Sequence, residues 1–157
     1  MTLEERSNLV LVFSRVLYLN GQATDQTLDA AQRLGDTLEL RAKLMPRWGE
    51  LQLQAEDRRA RLISSVVADP AGVNMDRVAS TMRAIEEIGA GRLSPAVAME
   101  TITKISKTPP APTWLFVLAA ASGAVALAVI FGIQHPVAAA LTFVSAGAGA
   151  VLRLGLA

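Results

Sequence analysis

The sequence predicts an α+β protein: a helical N-terminal domain with a small antiparallel β segment, followed by a two-helix transmembrane hairpin. Three observations predict it. Pro109 to Leu152 contains no Asp, Glu, Lys or Arg, and the charges of the chain lie on either side. Apolar residues recur at helical spacings of three and four before Leu38 and again after Asn74, while Trp48 to Ala55 alternates apolar and polar. The expected divisions are a domain over 1–108, a proline-rich connector over 109–112 and the hairpin over 113–157.

In the first helix, Leu3 to Leu19, the residues Leu9, Val12, Phe13, Val16 and Leu17 form the apolar face and Gly21 is a natural stop. Ser14 and Arg15 break its apolar run, so it reads as a buried helix rather than a membrane one. Thr24-Asp25 offers a cap and a first-turn acid for a second helix, Asp25 to Leu38, carrying Leu28, Ala31, Leu34 and Leu38. Its acids Asp25, Asp29 and Asp36 lack a partnering His and read as a solvated face, not a metal or acid/base group.

The alternating segment Trp48 to Ala55 reads as a strand, Glu56-Asp57-Arg58-Arg59 as a polar turn, and Arg61 to Ala68 as a second strand with Leu62, Ile63, Val66 and Val67. Glu39 to Met45 is a candidate third strand. The Arg58-Arg59-Arg61 cluster suits a charged turn guarding a sheet edge, with an anionic lipid or ligand as the alternative. After the breaker Asp69-Pro70-Ala71-Gly72, Asn74 caps a third helix with the stripe Met75, Val78, Met82, Ile85 and Ile88, ending at Gly89-Ala90-Gly91. Ser94-Pro95 starts a fourth helix, whose buried face is Ala98, Ile102 and Ile105 and which runs to Lys107.

A bilayer core takes about 20 apolar residues per helix. The uncharged run is about twice that long, and Gln134-His135-Pro136 interrupts it, so Thr113 to Ile133 and Val137 to about Leu154 are the expected spans. Lys104 and Lys107 precede the first and Arg153 follows the second, which places both ends and the N-terminal domain in the cytoplasm. Trp114, Lys107 and Arg153 are the expected interface residues. Neither span carries an ionisable group at midplane depth, where coupled transporters place one. Ser122, Thr142 and Ser145 are the polar candidates for substrate contact, each also able to bond its own helix backbone. Ala119, Gly123, Gly147 and Gly149, with Ser145, form small-xxx-small pairs that either seal the two spans together or also dock other membrane helices. His135 reads as a solvated residue of the external turn.

A formal net charge of +1 and no basic stripe exclude a nucleic-acid footprint, and zero cysteines remove disulfides, thiolate metal sites and cysteine nucleophiles. The acids of Met1-Thr2-Leu3-Glu4-Glu5-Arg6 do not suit a signal peptide. No nucleophile–base pair, metal set or phosphate-cradling glycine loop is present, so the chain reads as neither an enzyme nor a cofactor carrier.

Three stretches, Val16 to Gly35 (VLYLNGQATDQTLDAAQRLG), Asn74 to Ile105 (NMDRVASTMRAIEEIGAGRLSPAVAMETITKI) and Ala126 to Gly132 (ALAVIFG), resemble the threonine/serine exporter family in wording and order. The resemblance implies a secondary transporter of the bacterial inner membrane. Such a transporter exports small hydroxylated amino acids or, in a split two-subunit branch, a small dicarboxylate, by ion-coupled efflux. Family members usually carry a second glycine, often with an acid, just after the Phe-Gly; here Ile133, Gln134 and His135 follow Phe131-Gly132. The family's first module also has more spans, so the chain is expected to be truncated, or to be a homo-oligomer or a subunit beside a polytopic partner. The alternative is a membrane-tethered cytoplasmic binding or regulatory module without transport activity of its own.

Overall fold

The computed structural model describes residues 1–70, 72–109, 112–133 and 135–155. Its elements run α1 (Leu3–Leu19), α2 (Thr24–Thr37), β1 (Arg41–Arg47), β2 (Glu50–Glu56), β3 (Arg61–Val67), α3 (Met75–Gly89), α4 (Pro95–Lys107), α5 (Thr113–Ile130) and α6 (Pro136–Gly155). They form two compact units, Met1–Pro109 and Pro110–Ala157.

In the first unit α1 is central. Thr2 and Glu5 close a reciprocal capping box at its start, satisfying two otherwise orphaned N–H groups. Leu9, Val10, Leu11, Phe13, Val16 and Leu17 are all buried, so this helix is apolar nearly all round because it is enclosed by α2, α3, α4 and the sheet. The sheet is an antiparallel meander in the order β1-β2-β3. Its inner face carries Ala42, Leu44, Leu51, Leu53, Ala55 and Val66, and Pro46 is tolerated because β1 is an edge strand.

Several local expectations shift. The N-cap of α2 is Ala23, and Thr24 is the first helical residue; no side chain caps the end. Trp48 lies in the β1–β2 turn, so β2 starts at Glu50. The third strand is real but begins at Arg41, because Glu39 ends α2 instead: with φ 57, it lets Glu39 N–H bond Asp36 O at 3.1 Å and Leu40 N–H bond Gly35 O at 2.9 Å. This is a Schellman closure with a glutamate where glycine is usual. Strict alternation turns Ile63 and Val67 of β3 outward and puts Ser64 inward, and Met75 is exposed at the start of α3. Asn74 caps α3 as expected, accepting from Arg77 N–H. Ser94 stands at the N-cap of α4 without a side-chain cap bond, ahead of Pro95.

In the second unit α5 ends three residues earlier than the expected span. Gly132, at φ 93, closes it with Gly132 N–H to Val129 O and Ile133 N–H to Ala128 O, both 3.0 Å, leaving Phe131 and Ile133 outside the helix. Pro136–Arg153 of α6 is long and apolar enough to cross a membrane; the apolar part of α5, Trp114–Ile130, is shorter than that standard. Pro110 and Ala111 of the expected connector, Ala71 of the breaker and Gln134 of the expected interruption lie outside the described residues.

Candidate functional site

Within the second unit, α5 and α6 meet along a seam of small residues. Ala121 is buried there, and a methyl group on Gly147 would stand 3.8 Å from Val117 Cγ1 and 3.9 Å from Ala121 Cβ, ordinary contact. Gly147 is thus the member of the expected packing set that seals the pair. Ala119, Gly123 and Gly149 do not: Ala119 is exposed, and an added Cβ at Gly123 or Gly149 would meet nothing within 4 Å. Beside the seam runs an apolar groove of about 590 Å³, lined by Trp114, Val117, Leu118, Phe143 and Val151 as well as Ala121 and Gly147.

The polar candidates do not converge. Thr142, partly buried, donates to Ala138 O at 2.9 Å, and Ser145 donates to Thr142 O at 3.1 Å, so both hydroxyls serve their own helix. Ser122 and Ser145 are exposed, and none of the three lines the groove. Lys107 and Arg153 occupy the last turns of α4 and α6, where a cation suits the helix dipole, and Trp114 is exposed at the start of α5.

The first unit carries a polar cleft of about 940 Å³ at the N-terminal end of α1, lined by Arg6, Asp36, Glu39, Leu40, Arg41, Glu56, Asp57, Arg58 and Arg59. Arg6 is its fixed point: it donates to Leu38 O and to Asp57, each at 2.9 Å. Asp57 accepts from Arg59 N–H and Ala60 N–H, both 2.9 Å. These backbone donors first, and the Arg6 guanidinium after them, hold its carboxyl below the usual carboxylate range. Arg41, Arg58 and Arg59 are exposed and form no ion pair among the described residues. The arginine turn thus lines a cleft as well as ending a sheet. Sequence reasoning missed Arg6, Glu39 and Arg41 because they meet only through the packing of α1 and α2 on the sheet.

At the opposite end of α1, Arg77 holds the chain where it leaves the unit. Its Nε and Nη2 donate to Thr108 O at 2.9 and 2.6 Å, and its Nη1 donates to Asn20 Oδ1 at 3.4 Å. Asn20 in turn donates to Val16 O and accepts Asn74 N–H through its carbonyl. No local pattern in the sequence announces this contact. Among the described residues, no group of three or more His, Cys, Asp or Glu side chains is placed to hold a metal ion.

The architecture is thus an α+β unit followed by an apolar helical pair, one helix of which has the length and composition of a membrane span. The chain belongs to the ThrE family, described as "Putative threonine/serine exporter", whose model matches residues 8–157. That family is one of transporters and not of enzymes, and export places the protein in a membrane. No curated protein and no solved structure matches the chain.

Proposed function

We propose that this chain is a component of a secondary transporter of the bacterial inner membrane, exporting small metabolites such as threonine, serine or a small dicarboxylate. In this reading both α5 and α6 cross the bilayer, the first unit is cytoplasmic, and further membrane helices complete the path. The family match, which runs through both apolar helices, carries the reading. Length also supports it: Trp114–Ile130 rises about 26 Å against about 27 Å for Pro136–Arg153, and both approach a hydrocarbon core of about 30 Å. Lys104, Lys107 and Arg153 flank the pair while the described turn residues between them carry no Lys or Arg, which favours both ends inside.

The need for further helices follows from side-chain chemistry. Neither apolar helix has an ionisable residue before Arg153, and Thr142 and Ser145 are bonded to their own backbone. A coupled substrate site therefore draws its polar groups from elsewhere. The exposed pairs Ala119/Gly123 and Ser145/Gly149, left free by the Ala121–Gly147 seam, suit close helix approach. α4, the connector and α5 then form a mechanical path from the first unit into the membrane, with Arg77 gripping its cytoplasmic start at Thr108.

The test is a pull-down from native membranes through an N-terminal tag, with mass spectrometry of what is retained, alongside export measured in cells lacking the gene. A stoichiometric polytopic partner and loss of export support the reading. Recovery of the chain alone with export unchanged overturns it. Replacing Pro109, Pro110 and Pro112 by Gly and Ser tests the path: transport unchanged by a flexible linker removes it.

The polar cleft favours a second reading, a membrane-tethered module that binds a metabolite without transporting it. Its lining pairs four arginines with four carboxylates, a balance suited to a small zwitterion or dicarboxylate. Thermal shifts with serine, threonine and succinate, compared with Arg41→Ala, separate this reading from one in which the cleft is idle.

A further inference from the structure

Trp48 is fully exposed, at 103 % of its reference area, at the tip of the β1–β2 turn. A bare tryptophan on a hairpin tip has no packing role inside its own unit, and its position in the unit gives it another. A chain of short contacts places the tip at the same end of α1 as Thr108. Gly49 O accepts Ala68 N–H at 2.9 Å, and Val67 O accepts Arg15 Nε at 2.8 Å. Five residues further along α1, Asn20 meets Asn74 N–H and Arg77, and Arg77 holds Thr108. Arg6 and the Asp57 turn mark the other end of the same helix.

This pole is also where exposed apolar side chains gather. Val67 is 72 % exposed, Val73 is 75 % exposed and packs against Gly21, and Met75 is 55 % exposed. Arg47 adjoins Trp48, while Asp69 follows Ala68, so the pole is mixed in charge and its distinguishing property is apolar surface. The other constraint is tether length. Five Cα steps separate Thr108 from Thr113, the first residue of α5, a reach of about 18 Å at most.

We propose that this pole is a lipid-docking surface, with Trp48 seated in the headgroup region of the bilayer that the hairpin enters. Tryptophan is favoured there because its ring is apolar and its indole N–H finds a polar partner at the interface. The chain leaves the first unit from this same pole, at Thr108, on its way to the apolar helices. The docking surface rests on the reading that α5 and α6 insert, and the two tryptophans of the chain test the two statements separately.

The experiment uses the full chain reconstituted in phosphatidylethanolamine/phosphatidylglycerol vesicles with and without brominated phosphatidylcholine, as two single-tryptophan variants. Trp48→Phe leaves Trp114 to report insertion of the hairpin, and Trp114→Phe leaves Trp48 to report the pole. The expected result is a blue-shifted Trp48 emission and a loss of it to bromolipid comparable to that of Trp114. Quenching of Trp114 with Trp48 unquenched and red-shifted overturns the docking surface while leaving insertion intact. A blue-shifted but unquenched Trp48 means another copy of the chain covers it, and also overturns the proposal. Quenching of neither overturns both statements, and quenching of Trp48 without Trp114 overturns insertion and with it the docking surface that rests on it.

Discussion

Gly35→Ala is the sharpest test of how the first unit is held together. A methyl group there would stand 2.5 Å from Ala42 Cβ and 3.2 Å from Leu40 O. Neither neighbour can yield by changing rotamer, since one is a Cβ on β1 and the other a backbone oxygen. Leu38 N–H and Leu40 N–H both bond Gly35 O at 2.9 Å, so the turn cannot open without losing hydrogen bonds. Overpacking of this kind costs about 3 kcal/mol at the upper end of its usual range. The helix preference of alanine over glycine returns about 1 kcal/mol, for a net loss of about 2 kcal/mol. The assay is urea unfolding of the full chain in mild detergent, followed by far-ultraviolet circular dichroism. Gly35→Ala should lower the midpoint, and Gly35→Ala with Ala42→Gly should recover most of the loss, since it removes the Cβ that is struck. A single variant more stable than the parent by about 1 kcal/mol, the propensity gain undiminished, refutes the close approach of α2 to β1. The consequence reaches the cleft, because Asp36, Glu39, Leu40 and Arg41 are all placed by this junction.

Three further outcomes are expected. Ser7 Oγ is fully buried without a hydrogen-bond partner among the described residues, so Ser7→Ala should stabilise the unit by about 1 kcal/mol, read as a rise in the urea midpoint. Glu39 sits at φ 57, where glycine is free of the side-chain penalty, so Glu39→Gly should also stabilise, by about 1 kcal/mol, with the Leu40 amide exchanging no faster than in the parent. The carboxyl of Asp57 is held below its ordinary value of 3.8, so its contribution is complete above the usual carboxylate range and disappears as pH falls through its lowered folded value. Across an acid titration Asp57→Asn should therefore lose less stability than the parent; parallel curves would refute the Arg6–Asp57 anchor.

Much of the architecture was legible because it is written in local periodicity. The bounds of α1 were readable to the residue, since its apolar run ends at Gly21 and buried positions recur along it. Asn74 before α3 and Pro95 at the start of α4 carry their own backbone chemistry, so their ends were readable too. The uncharged run declared an apolar pair of helices, and the interruption near Pro136 declared two. Boundaries slipped where another residue took over a cap: Gly132 ends α5 before Phe131 and Ile133, and Glu39 closes α2 instead of opening a strand.

What this sequence determined by itself, then, was which segments are helical, which alternate and which are free of charge, because spacing and composition act over a few residues. Tertiary structure alone decided which side chains meet. Of the small residues on α5 and α6, it chose Ala121 and Gly147 for the seam and left Ala119, Gly123 and Gly149 outside, a choice set by the rotation of one helix against the other. It likewise brought Arg6 to Asp57 across 51 positions and Arg77 to Thr108 across 31. Such pairs have no local signature, because the free energy that joins them is that of packing α1 against everything around it.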